Sequence, residues 1–405
     1  MRRTPPRRLL AAALLAASVL VAPMTAAPAA TAVGAARAHG GDHDACSTGA
    51  GLGRGMAARL DKAIAGVRRD AGIPGVAVGL WMPGKGCYVR ATGVADKATG
   101  RPMSTGFSSR IGSETKTFTV TALLQLVDEG RVRLDDPIDR YVRGVPNGRR
   151  ITLRHLAEMR SGLFPYSADA DFAHDLLSDP YRTFTPRELL AYGYKHRNTG
   201  APGKVFVYNN SNLVLLGLVI EKVTSHHVAD VIERRVLRPA HLEHTLFPDG
   251  PTVREFPEPH AHGYTDQTLT GAVTDSTDWN PSWAWSAGAM ISDLHDLRSW
   301  AKTVATGTLL SPETQKQRLK VLPTGFPGLD YGLGIFETGG WIGHNGSIPG
   351  YESVTVYLPA LKATLVVLLN TDITTGGQEP STLVARAVTQ IATPGHVYDG
   401  STPTR

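Results

Sequence analysis

Ser113 and Lys116 stand three residues apart in the stretch IGSETKTFTVTALLQLVDEG, residues 111–130. On a helix that spacing puts both side chains on one face. A hydroxyl beside an amine is the raw material of a serine nucleophile, because the amine, or its ammonium, takes or steers the hydroxyl proton. Ser113 is expected in the first turn of this helix, where free N–H groups and the dipole favour negative charge. The same residues also describe a helix with a serine cap and a solvated lysine. The pattern is common: Ser299 and Lys302 repeat it inside DLHDLRSWAKTVATG, where both read as one solvated face.

Two more stretches bring complementary chemistry. FVYNNSNLVLLG contains Tyr208-Asn209-Asn210, the chain's only Tyr-x-Asn. Tyr208 can relay a proton between nucleophile and leaving group if a neighbouring ammonium lowers its pKa. Asn210 can bond Lys116 or a substrate carbonyl, although a turn asparagine and helix cap explain it equally well. GWIGHNGSIPGYESVTVYLP contains His344-Asn345-Gly346 at a strand edge. A glycine there lets a substrate backbone come close. The N–H of Ser347, paired with the N–H of Ser113, would make an oxyanion hole. A glycine-rich turn with an exposed histidine is the plain alternative.

These stretches need a scaffold, and the chain of 405 residues is long enough for one. GMAARLDKAIAGVRRDAGIPG reads as an amphipathic helix with Leu60, Ile64 and Val67 on one face. GVAVGLWMPGKGCYVRATGVAD reads as two strands around a turn. The helix after Ser113 is expected to bury Phe118, Leu123, Leu124 and Val127 and to stop at Gly130. From 135 to 271, helical segments alternate with Pro- and Gly-rich loops. YESVTVYLP and ATLVVLLNT then form a hairpin, and STLVARAVTQIA a closing helix. The expected fold is α/β: an antiparallel sheet flanked by N- and C-terminal helices, built from 39–134 and 272–395, with a mostly helical domain inserted at 135–271. Residues 396–405 read as a loose tail. The cleft between the two parts is the expected place for a site.

The amino end reads as a secretory signal. MRRTPPRRLL carries four arginines, and an uncharged, alanine-rich run follows. Cleavage sites of the Ala-x-Ala type lie at Ala27-Pro28-Ala29 and Ala36-Arg37-Ala38, so residues 1–38 are assigned to the signal. A retained membrane anchor and a twin-arginine signal at Arg7-Arg8-Leu9-Leu10 are the alternatives. Residues 1–38 hold five arginines and no acid, so removing them takes the formal +6 to +1. The basic balance therefore gives no case for nucleic acid as a partner. The two cysteines, Cys46 and Cys87, can pair in an exported protein, or stay as free thiols.

No cofactor is implied. GLGRG follows no strand, so a dinucleotide reading fails. Among 14 histidines, His226-His227 and His260-Ala261-His262 lack helical ligand spacing, so no metal is expected.

With the three stretches in this order, the sequence resembles the serine β-lactamase and penicillin-binding superfamily, whose pattern is S-x-x-K, S-D-N and K-T-G. Tyr-x-Asn as second element and His as the start of the third look most like the secreted D-alanyl-D-alanine carboxypeptidases related to class C β-lactamases. The similarity runs from about 54 to 392 and includes LLQLVDEGRVRLDDPI, LRHLAEMRSGL and WAWSAGAMISDLHDL. The resemblance implies that Ser113 attacks a D-Ala-D-Ala carbonyl and forms an acyl-enzyme. It implies that Lys116 activates it, Tyr208 protonates the leaving D-alanine and Asn210 orients the substrate. His344 stands where others have lysine and tunes Tyr208; Phe172 and Trp283 wall the cleft. One departure matters. The carboxypeptidases have Thr where Asn345 stands, and an arginine shortly before it to hold the substrate's carboxylate; GLGIFETGGWIGHNG has none. An esterase or β-lactamase on the same scaffold, and a non-catalytic penicillin or peptidoglycan sensor, remain open. The expected protein is a secreted monomer acting on a small peptide, ester or β-lactam, with peptidoglycan as the larger partner.

Overall fold

Eight strands make one antiparallel sheet, running from β2 (Gly86–Gly93) through β1 (Gly75–Met82), β12 (Ala363–Leu369), β11 (Tyr351–Leu358), β10 (Trp341–Ile348), β9 (Phe336–Thr338) and β8 (Asp330–Tyr331) to β7 (Leu322–Pro323). The computed structural model describes residues 51–400. The signal-peptide reading and Cys46 lie outside the described residues; Cys87 itself is disulfide-bonded. No helix of the described residues is long and apolar enough to cross a membrane.

The sheet is built from both ends of the chain. β1 (Gly75–Met82) and β2 (Gly86–Gly93) form the expected first hairpin. β10 (Trp341–Ile348), β11 (Tyr351–Leu358) and β12 (Ala363–Leu369) return late, and β12 closes against β1. β7 (Leu322–Pro323), β8 (Asp330–Tyr331) and β9 (Phe336–Thr338) extend the far edge. β11 and β12 are buried at every position, as continuous apolar strands covered on both faces must be. Helices α1 (Arg54–Asp70) and α10 (Pro380–Ala392) pack on each other, and α10 covers β11 and β12. α8 (Leu294–Thr306) packs on β10, β11 and β12 as well. Alternation along β11 separates the two layers: Glu352 accepts the Ser381 N–H of α10, while Thr355 shares a cavity with Trp300 of α8.

α2 (Thr115–Asp128) runs between the sheet and the helical segment. It differs from the amphipathic helix its apolar run suggests, because Thr115, Thr117, Thr119 and Thr121 are buried with Phe118, Leu123 and Leu124. Each threonine oxygen is bonded. Thr119 donates to Ser286 O (2.8 Å), Thr121 to Thr117 O (2.6 Å), and Thr117 takes the Trp300 indole N–H (2.7 Å). Thr115 Oγ1 takes the Met290 N–H. Satisfied hydroxyls let a helix be buried all round. The expected insert holds α3 (Leu153–Ala157), α4 (Ala170–Ser178), α5 (Pro186–Tyr194), α6 (Asn210–Thr224) and α7 (Val228–Ile232). Two short pairings complete the strands of the described residues: β3 (Ser109–Arg110) with β6 (Ile291–Ser292), and β4 (Tyr264–Thr265) with β5 (Thr274–Asp275).

The tail is a correction. Tyr398 is fully buried, its N–H bonds Thr389 Oγ1 (2.9 Å), and His396 O accepts the Trp341 indole (2.8 Å). The one aromatic ring in this polar stretch anchors it through residue 400, and 401–405 lie outside the described residues.

Candidate active site

Ser113 does not open α2. It sits in a 3-10 turn, Gly112–Glu114, that precedes the helix and continues into it. The turn is seated on β10 by two glycines. A Cβ on Gly346 would lie 1.9 Å from Ile111 O, and one on Gly112 (φ +50°) would lie 2.7 Å from Ser347 N. Gly346 was expected to admit a substrate backbone; the space it leaves is taken by the nucleophile's own turn. Ser353 Oγ–H also donates to Ile111 O (3.1 Å), fixing the turn from the next strand.

Lys116 is fully buried, and its Nζ donates to Ser113 Oγ (2.8 Å) and to Ala287 O (2.8 Å). The Ala287 carbonyl comes from a 3-10 turn, Trp285–Ala287, that begins with Trp285 at φ +36°. Two acceptors thus aim the amine at the hydroxyl. The face of Tyr208 lies over the same Nζ, 4.9 Å from its ring centroid. Tyr208 is placed by its neighbour: Asn209 caps α6 by accepting the Ser211 N–H (2.8 Å) and donates to Leu163 O (2.8 Å). Lys116 Nζ thus lies between the Ser113 hydroxyl, which it bonds, and the Tyr208 ring. Ser299 and Lys302 are exposed on α8.

Register decides which backbone groups β10 turns toward the Ser113 turn. The Gly339-Gly340 and Pro349-Gly350 hairpins pair Trp341 with Thr338 and Ile348 with Tyr351. Antiparallel alternation then points the backbone of 342, 344, 346 and 348 toward β11, and that of 345 and 347 away from it. β9 pairs β10 only as far as Gly343. The Ser347 N–H therefore faces an open edge beside the Ser113 turn, whose first N–H groups have no acceptor within the turn.

His344 is present but acts differently from a lysine. It is fully buried, and burial first, then the Lys116 charge, pull its pKa down to about 3. It is a neutral imidazole. Its Nδ1 faces Asn345 O (2.5 Å), a pure acceptor, so Nδ1 carries the proton, and Nε2 accepts from Tyr331 O–H (3.0 Å). Burial and neighbouring Tyr208 push Tyr331 well above the phenol range, which keeps it a donor. His344 touches Tyr208 by its ring, at 6.2 Å between centroids, and offers it no charge. Tyr331 was missed in the sequence; it lies in LDYGLGIF with no motif to mark it.

Glu114, between Ser113 and Lys116, was also passed over. Burial outweighs the hydroxyls of Ser353 and Thr355 and pushes its carboxyl up to about 8. With Thr117, Trp300, His344 and Thr355 it lines a cavity of about 10 Å³, close to the space one water needs. A carboxyl raised this far and an imidazole lowered this far both favour the uncharged form beneath Ser113.

The remaining expectations divide. Asn210 is the first residue of α6, and its Nδ2 reaches Ser167 Oγ (3.4 Å). Its Oδ1 is buried with no hydrogen-bond partner among the described residues, so no bond to Lys116 forms through it. Asn345 is buried, and its amide donates to Glu379 (2.8 Å). Phe172 is not a cleft wall. It is the centre of an aromatic cluster inside the helical part, edge-on to Tyr166 (5.1 Å) and Tyr192 (5.6 Å) and near Phe184 and Trp283. Its helix is amphipathic, and an aromatic on that inner face goes to core. Trp283 is buried too, but borders a small cavity with Arg110, Ile348 and Pro349 beyond the end of β10.

Residues 60–389 match the family model described as Beta-lactamase. Among solved structures, the chain is similar to a D-stereospecific amidohydrolase from Streptomyces sp. (32% identity, TM-score 0.72, 78% of this chain and 94% of that one). It is also similar to the D-amino acid amidase from Ochrobactrum anthropi SV3 (28% identity, TM-score 0.72, 82% of this chain and 97% of that one). Among curated relatives it is 28% identical over 326 residues to Protein flp of Staphylococcus aureus (strain N315), covering 77% of this chain and 62% of that protein.

Proposed function

The chain belongs to the beta-lactamase family of serine hydrolases, and from that premise we propose that it hydrolyses amide bonds on the carbonyl side of D-amino-acid residues through an acyl-serine intermediate. The observation that carries the proposal is Lys116 Nζ at 2.8 Å from Ser113 Oγ beneath the open edge of β10. Ser113 Oγ bonds to the substrate carbonyl carbon as its proton leaves toward Lys116. The N–H groups of Ser113 and Ser347 hold the oxyanion. As the C–N bond breaks, Tyr208 passes a proton to the departing nitrogen. Water then cleaves the acyl ester by the reverse sequence.

Two observations favour a D-amino-acid amide, with only its amide nitrogen beyond the scissile bond, over a peptide that carries a free terminal carboxylate there. The structures reported above as similar include a D-stereospecific amidohydrolase and a D-amino acid amidase. The third motif here offers Asn345 held by Glu379, with no arginine in the preceding stretch. The second reading is a secreted D-alanyl-D-alanine carboxypeptidase, which the export-type amino end favours because it would place the enzyme beside the cell wall. An esterase or β-lactamase uses the same machinery.

Purified protein is assayed with D- and L-phenylalanine amide, a diacyl-D-Ala-D-Ala peptide, a short acyl ester and a cephalosporin. The expected result is at least tenfold preference for the D-amide over its L form and over the diacyl peptide. Faster release of D-alanine from the diacyl peptide would replace this reading with the second. A stable acyl adduct without turnover on any substrate would point to a sensor.

A further inference from the structure

A second set of chemically capable side chains lies away from the nucleophile, where the loop before Leu246 meets the start of α8. His244, Asp293, His295 and Asp296 each turn one ligand atom into a space in which all four atoms lie within 4.8 Å of one another. His244 Nδ1 is 2.8 Å from Asp293 Oδ2, and His295 Nδ1 is 3.5 Å from Asp296 Oδ1.

The carboxylates are oriented like ligands. Asp296 Oδ2 accepts the Thr245 hydroxyl (2.8 Å) and the His244 backbone N–H (2.8 Å), which leaves Oδ1 on the imidazole side. Asp293 Oδ1 accepts the Asp296 N–H (2.8 Å) as the cap of α8, which leaves Oδ2 facing His244. Each carboxylate thus has one oxygen tied down by the protein and the other presented, the supporting-shell arrangement of metal sites. Both aspartates are nearly buried, while the imidazoles are 60% and 36% exposed, so an ion can enter from solvent.

We propose that these four residues bind a divalent transition ion of the zinc type. Two imidazoles and two carboxylates suit zinc, and magnesium or calcium would demand more oxygens. A tetrahedral ion with bonds of about 2.0–2.2 Å sets its ligand atoms roughly 3.3–3.6 Å apart, so on binding the widest of these pairs, at most 4.8 Å, closes by about 1 Å while the 2.8 Å His244–Asp293 pair opens. The two carboxylates balance the ion's charge. The site joins two segments with a bearing on the nucleophile. Leu246 and Ile291 exchange backbone hydrogen bonds (2.9 and 3.0 Å), and Ile291–Ser292 pairs with Ser109–Arg110, just ahead of the Ser113 turn. A bound ion therefore braces the strands that carry the turn, without touching the reacting atoms.

The test uses the full chain, stripped with EDTA and dialysed against zinc chloride, with bound metal read by mass spectrometry and melting followed by circular dichroism. The His244→Ala/His295→Ala variant is expected to hold one zinc fewer per chain, and to lose most of the zinc-induced rise in melting temperature while keeping the native spectrum. A His226→Ala/His227→Ala control keeps both. Equal zinc content in wild type and the His244/His295 variant, or equal binding of magnesium, overturns the site. Neither result bears on the acyl-serine chemistry, which rests on other residues.

Discussion

Gly112 and Ser347 stand backbone to backbone: a Cβ on the glycine would come 2.7 Å from the Ser347 nitrogen and 3.0 Å from its carbonyl carbon and oxygen. That contact sets the distance between the two segments whose N–H groups form the proposed oxyanion hole. It also explains a glycine at φ +50°, since only glycine adopts that conformation without strain while leaving the strand in place.

Gly112→Ala is therefore expected to separate the nucleophile turn from β10. Backbone strain of this kind costs about 1–3 kcal/mol, and a misplaced oxyanion donor costs about 10²–10³ in rate. Gly346→Ala acts from the other side, its Cβ meeting Ile111 O. Acylation rates and denaturation midpoints measured on both variants check this. Near-native acylation in Gly112→Ala would show that the Ser347 N–H is not a donor to the reaction.

How far the chain announced this arrangement depends on which kind of residue is asked. Ser113 and Lys116 stood out because their spacing is local, and Tyr208 because it opens the chain's one Tyr-x-Asn. The strands and the outer helices were legible from their apolar periodicity. Phe172 was misplaced because an aromatic on a helix face looks the same whether that face meets solvent, cleft or core; only tertiary packing on Tyr166 and Tyr192 decides it. Gly346 was read as room for substrate because its true neighbour, Ile111 O, is more than two hundred residues away. The tail was read as loose from its polar composition, and one buried ring, Tyr398, overrides that.

Lys116→Ala removes the group that receives the Ser113 proton in the proposed mechanism, and with it the partner of Ala287 O. Acyl-enzyme formation is expected to fall by about 10⁴ or more, as when a member of a cooperating catalytic set is lost. Ser113→Ala leaves the Lys116–Ala287 bond in place and should abolish acylation with little change in melting. Intact mass after exposure to a labelled penicillin reads both. Label retained on Ser113→Ala would mean that another residue is the nucleophile.

Tyr331→Phe isolates what the hydroxyl does for His344. The imidazole Nε2 loses its donor inside a buried environment, at a cost of about 1–3 kcal/mol. If His344 serves by being neutral and fixed, the variant lowers stability and changes turnover by less than about tenfold. A larger loss of turnover with unchanged stability would give Tyr331 a part in the proton path beside Tyr208, 6.4 Å away between ring centroids.

Glu114 and His344 line one cavity and oppose each other in pH dependence. The Glu114 carboxyl, ordinarily near 4.5, is raised to about 8 by burial, so the folded chain holds a proton that the unfolded chain has released. Its stabilising contribution is complete below about 4.5 and is lost as pH rises toward 8. The His344 imidazole, ordinarily near 6.5, is lowered to about 3, so the unfolded chain binds the extra proton. That contribution is complete above about 6.5 and is lost as pH falls toward 3. Between 4.5 and 6.5 the two slopes cancel, and above 6.5 only the Glu114 slope remains. Relative to wild type, Glu114→Gln is therefore expected to gain stability steadily from pH 4.5 to 8, by on the order of a few kcal/mol in all. His344→Gln should gain in the opposite direction, from 6.5 downward. Urea midpoints taken every half unit give both difference curves. A flat Glu114→Gln curve between pH 6.5 and 8 would mean that the carboxyl is already ionised there, and that the ground beneath Ser113 carries a negative charge which the mechanism would have to include.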